Sequence, residues 1–102
     1  MDLTKMYSFE ELTNEAERLV LDELGRALEP HKDSDWVSED CVLDMAAYAL
    51  NKITPMYRVN LLGRLYADTL LEQHGNEIRS AVAEAIATVK MDYAHRGEEQ
   101  HQ

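Results

Sequence analysis

The chain has 102 residues, 20 acidic and 10 basic, for a net charge of −10. That balance excludes general binding to duplex DNA or RNA and to anionic membrane surfaces, which are held mainly through Lys and Arg. With 45% hydrophobic and 29% charged residues, it reads as one domain with a folded core, too short for two domains and too apolar for wholesale disorder.

One cysteine, Cys41, rules out an internal disulfide and a four-cysteine zinc site, and suits a reducing compartment. No apolar stretch approaches the roughly 20 residues needed to span a bilayer. The start, Met1 to Lys5, lacks a basic region followed by an apolar one, so a cytoplasmic protein is expected. Few Gly and Pro, many Ala, Leu, Glu and Met, and no sustained alternation of β-branched and aromatic residues predict an all-α fold. The expected form is a compact bundle of four to five helices, with at most a two-residue bridge near Val59.

In chain order, residues 1–7 read as an N-terminal arm. Ser8 with Glu11 forms a capping box, and Tyr7 against Leu12 a hydrophobic staple, so a first helix is predicted over about 9–29. Its apolar stripe is Phe9, Leu12, Ala16, Leu19, Val20, Leu24 and Ala27, and Pro30 stops it. Residues 30–35 are a loop. Their Asp33-x-Asp35 resembles the start of a calcium loop, but Ser38 and Asp44 stand where Gly and Glu are required.

Ser38 is a good N-cap for a central helix, with Glu39 and Asp40 favourably placed in its first turn. At about 100° per residue, Val42, Met45, Ala46, Ala49, Leu50 and Ile53 share one side, and Asp44, Tyr48 and Asn51 the other. Pro55 disfavours helical geometry at Thr54, so this helix ends at about Ile53. Beyond it, an irregular connector and a short helix near 64–73 are predicted, with a break at His74-Gly75-Asn76. A last helix carries Ile78, Ala81, Val82, Ala85, Ile86, Val89 and Tyr93 on one stripe. Residues 97–102 have nothing to bury and read as a disordered tail.

Charge is uneven. Cys41 to Leu71 holds three basic residues, Lys52, Arg58 and Arg64, against Asp44 and Asp68, a net of +1, while the rest carries seven basic against eighteen acidic residues, or −11. A basic stretch in so acidic a chain suits a compact anionic ligand with phosphates held by Lys or Arg. Composition alone favours ordinary surface ion pairs instead.

The pattern Cys41-x-x-Asp44-x5-Leu50-Asn51-x-x-Thr54-Pro55-x-Tyr57 resembles the signature of the late-competence ComFB family, in which such a helix runs into a Pro-Pro-x-Tyr turn. The likeness spans residues 8–95, within a helical domain set at 8–96. The resemblance implies a small, all-helical, homodimeric receptor for a cyclic dinucleotide, cyclic di-GMP first. It reverses the preference for plain surface pairs. Two departures stand out: Thr54 replaces the first Pro, and Met56 replaces the basic residue before the Tyr, with Arg58 following it. Some members bind zinc through extra cysteines; this chain has only Cys41.

The ligand-binding residues so implied are Asp44, Tyr48, Asn51, Lys52, Tyr57, Arg58 and Arg64. Lys52, Arg58 and Arg64 would take phosphates, Asp44 a guanine edge, Tyr48 and Tyr57 a purine face. Each has a plain alternative. Asp44 can pair with Arg58 or Lys52, Asn51 can satisfy the last-turn carbonyls, and buried tyrosines commonly bond backbone. Cys41, at about the third helical position, can be activated there or simply packed. No His pairing, phosphate loop or nucleophile elbow supports an enzyme, and no metal site or cofactor is expected. The leading expectation is binding that is passed to a protein partner. Its rival is a ligand-free dimeric adaptor of the same fold, regulatory in competence or a related process.

Overall fold

The computed structural model of the chain describes residues 1–59 and 67–100. Within these the fold is all-α, with helices α1 (Leu3–Met6), α2 (Glu15–Leu28), α3 (Glu39–Lys52) and α4 (Ala67–Gln100). A 3-10 turn, Glu29–His31, follows α2. Strands β1 (Thr13–Asn14) and β2 (Tyr57–Arg58) pair antiparallel, Thr13 with Arg58 and Asn14 with Tyr57. This ladder lies just before Val59, where the sequence allowed a bridge.

The first helix begins later than expected. The Ser8–Glu11 capping box is not used; residues 9–12 form a turn closed by Leu12 N–H to the Phe9 carbonyl at 3.0 Å, and Asn14 caps α2 instead. The reason is long-range. Asn14 Oδ1 accepts from Ala16 N–H at 3.1 Å and from Met56 N–H at 2.8 Å, while Glu15 N–H donates to the Met56 carbonyl at 2.8 Å. A helix started at residue 9 would need helical geometry at Thr13 and Asn14, which the ladder forbids. Phe9 and Leu12, expected in the core stripe, are therefore exposed. The arm is also not wholly irregular: Asp2 Oδ1 accepts from Thr4 N–H (3.2 Å) and its hydroxyl (2.6 Å), capping the single turn of α1.

α3 follows local rules. Ser38 Oγ accepts from Cys41 N–H at 3.3 Å, and the helix gives way at Ile53, whose backbone is extended ahead of Pro55. α4 overturns the expected break: Ala67–Gln100 runs as one helix through His74, Gly75 and Asn76. A single Gly costs a helix only about 1 kcal/mol, and packing of the flanking turns outweighs that. His74 Nδ1 lies 3.2 Å from Glu77 Oε2, and Glu77 Oε1 accepts from Thr54 N–H at 3.3 Å. The expected connector at 60–66 lies outside the described residues.

α4 makes its broadest contact with α3 and a smaller one with α2. The core holds Ala16, Leu19, Val20, Leu24 and Leu28 from α2, Cys41, Met45, Ala46 and Ala49 from α3, and Ile78, Ala81, Val82, Ala85 and Val89 from α4. Ile53 and Met56 of the turn complete it. These positions recur at helical spacing, so each helix buries one stripe. No described helix is long and apolar enough to cross a membrane.

Asn14→Ala is expected to cost about 2 kcal/mol, because it removes a helix cap and strands the amide of a core residue. Asn14→Asp keeps the acceptor and should recover most of the loss. Urea denaturation of the three proteins measures both.

Candidate functional site

Among the described residues, two clefts flank the bundle. One, of about 420 Å³, is lined by Asp44 and Tyr48 of α3 and by Thr88, Val89 and Asp92 of α4. The other, of about 660 Å³, is lined by Leu12, Thr13, Asn14, Glu15, Glu17, Arg18, Leu21 and Tyr57. The first contains part of the set expected from the sequence; the second was not anticipated.

In the α3–α4 cleft, Asp44 and Tyr48 stand one helical turn apart, so their side chains share a face. Asp44 Oδ2 accepts from the Tyr93 hydroxyl at 2.6 Å, which orients the carboxylate. The Lys52 ammonium lies 5.4 Å from the Tyr48 ring centroid, within cation–π range. Lys52 makes no ion pair among the described residues. Asp44, Tyr48 and Lys52 therefore form a run along α3 from carboxylate to ring to cation. Asn51 is exposed near the end of α3.

The turn distributes the remaining residues. Tyr57, 57% exposed, lines the larger cleft, and strand alternation turns Arg58 to the opposite face of the ladder. Arg58 Nη1 donates to the Tyr57 carbonyl at 3.3 Å and, among the described residues, has no carboxylate partner. Its pairing with Asp44, one plain alternative, is not observed. The seven expected residues thus do not share one pocket: Asp44 and Tyr48 line one cleft, Tyr57 the other, and Arg64 lies outside the described residues.

The departures from the family pattern occupy structural positions. Met56 is buried in the core at 6% exposure, so its side chain does not face a ligand. Thr54 donates its amide to Glu77, a bond that a proline there could not make.

Thr88, Asp92 and Tyr93 are additions that sequence reasoning missed as site residues. Thr88 and Asp92 have i, i+4 spacing beside the α4 stripe, but nothing local shows that this flank faces Asp44. Leu21, an apolar residue off the α2 stripe, was the available sign of the larger cleft.

Cys41 is fully buried. Burial pushes its thiol pKa up, and the Asp44 carboxylate adds to the shift. The packed alternative holds, and the thiol is not activated. Among the described residues no group of three or more His, Cys, Asp or Glu is placed to hold a metal ion.

In the folded protein Cys41 should react with a thiol reagent at pH 8 at least about tenfold more slowly than free cysteine, with full reactivity released in urea. Because its folded pKa is raised, any stability it contributes is present below the unfolded value and is lost as pH rises through the folded one.

Among known families, the one described as late competence development protein ComFB matches residues 13–93. No curated protein matches the chain.

Proposed function

Since the chain belongs to the late competence development ComFB family, we propose that it is a cytoplasmic receptor for a cyclic dinucleotide, cyclic di-GMP first. It acts as a homodimer, by binding without turnover, and passes the occupied state to a protein partner in competence or a related process. The observation that carries this reading is the run of Asp44, Tyr48 and Lys52 beside the α3–α4 cleft.

The chemistry matches the parts of such a ligand. A guanine edge offers adjacent N–H donors, and a carboxylate accepts two. Asp44 offers Oδ1 and the remaining lone pair of Oδ2 for this role, the other being taken by the Tyr93 hydroxyl. A purine can lie on the Tyr48 face, and Lys52 at the end of the run supplies charge for a phosphate. Arg58, without a carboxylate partner among the described residues, is the second candidate cation. The Asp44–Asp92 lining would repel phosphate, so the bases enter the cleft and the phosphates stay at its basic end. Neither Thr54 nor Met56 removes a side chain from this cleft.

The ligand-free adaptor remains the second reading, favoured by one observation: Tyr57, the tyrosine of the family motif, lines the other cleft.

Calorimetric titration with a panel of cyclic dinucleotides tests the proposal. Lys52→Ala and Arg58→Ala should each weaken binding about ten- to hundredfold, the scale of one charge-assisted bond. Arg58→Lys should recover only part of the loss. Asp44→Asn should weaken a guanine ligand more than an adenine one, and Arg26→Ala, remote from the cleft, should change nothing. No binding by the unmodified protein would put the adaptor in place of the receptor.

A further inference from the structure

Two hydrogen bonds tie α4 to the α3 segment. The Tyr93 hydroxyl donates to Asp44 Oδ2 at 2.6 Å, and beyond the end of α3 the Thr54 amide donates to Glu77 Oε1 at 3.3 Å. Late α4 thus meets early α3 and early α4 meets the turn, so the two helices run antiparallel, with the smaller cleft along their join.

The partners in the Asp44–Tyr93 bond are not held equally. Tyr93 is half-buried and packs against the core, whereas Asp44 is exposed, and the terminal torsion of an Asp side chain has only a broad preference of its own. Asp44 makes no ion pair among the described residues. A neutral hydroxyl on a packed ring therefore fixes the plane of the carboxylate, and it leaves the charge and most of the lone pairs in place, which a bound cation would not.

We propose that Tyr93 is the positioning residue that makes the cleft prefer guanine to adenine. This rests on the receptor reading above and adds to it the source of base selectivity. Tyr48 stands one turn beyond Asp44 on the same face of α3, so a base lying on the Tyr48 ring brings an edge toward the carboxylate. Guanine presents two adjacent N–H donors, one for each oxygen of a fixed carboxylate. Adenine sets an amino donor beside a ring-nitrogen acceptor, so the second oxygen meets a lone pair. A carboxylate free to turn relieves that clash by offering one oxygen alone; one pinned by Tyr93 does not. Adenine is thus rejected through orientation as well as through charge, and a site built for hydrogen-bond donors discriminates sharply against a ligand that leaves its polar groups unpaired.

Tyr93→Phe removes the hydroxyl and keeps the packed ring, so the fold should be unchanged by circular dichroism. Calorimetric titration of the unmodified protein, Tyr93→Phe, Asp44→Ala and the double variant with cyclic di-GMP and cyclic di-AMP tests the assignment. Tyr93→Phe should weaken cyclic di-GMP about tenfold, the scale of one hydrogen bond to a charged group, and leave cyclic di-AMP no weaker, so the ratio between the two falls by that factor. The double variant should bind cyclic di-GMP no more weakly than Asp44→Ala alone, because without the carboxylate there is nothing to position. An equal loss for both nucleotides marks a purely structural role and overturns the assignment, as does a loss that adds to that of Asp44→Ala. If the unmodified protein binds cyclic di-GMP and Tyr93→Phe keeps its selectivity, this assignment alone fails; if the unmodified protein binds neither nucleotide, the receptor reading fails with it.

Discussion

The side-chain oxygen of Asn14 accepts from the amide of Ala16 two residues on and from that of Met56 forty-two residues on, and most of the arrangement around the turn follows from this double bond. It decides where α2 starts, because the residue that caps the helix must stay extended. It also fixes the register of the ladder, and with it which side chain faces which way. A slip of one residue would exchange Tyr57 and Arg58 between the faces. Met56 seals the join by sinking its side chain into the core while its backbone is bonded on both sides.

Legibility in the sequence depended on how local each cause was. Both ends of α3 could be read because Ser38 and Pro55 act on neighbours within a turn. The α4 stripe, and most of the α2 stripe from Ala16 onward, could be read because burial repeats at the helical period. The start of α2 could not be, since a sound local capping box at Ser8 lost to a partner far along the chain. The break at His74-Gly75-Asn76 failed similarly: Gly and Asn weaken a helix in isolation, but α3 and the Thr54 amide support this one from outside. The candidate site was half legible. Asp44, Tyr48 and Lys52 fall on one run by periodicity, whereas Thr88, Asp92 and Tyr93 come from a helix whose facing only the packing reveals.

Both clefts bear carboxylates, Asp44 and Asp92 in one and Glu15 and Glu17 in the other, as a chain of net charge −10 makes natural. Beside the first, Lys52 at the end of α3 brings positive charge to within 5.4 Å of the Tyr48 ring centroid. On the proposed reading this division orients a ligand, since hydrogen-bond donors are drawn inward and phosphate is kept at the edge. Lys90 does not dilute the pattern, because its ammonium lies over the Trp36 ring, 4.5 Å from the centroid.

The ladder of Thr13–Asn14 with Tyr57–Arg58 is only two residues per strand, yet it joins segments separated by two helices. Closing so long a loop for so few bonds is entropically late work, since the chain must first be shortened by the helices between. The three core helices can assemble from their stripes before the clasp forms, and a two-residue ladder can reopen without the bundle unfolding. The larger cleft, with Tyr57 as one wall, would then come and go with that opening, faster than the bundle itself unfolds.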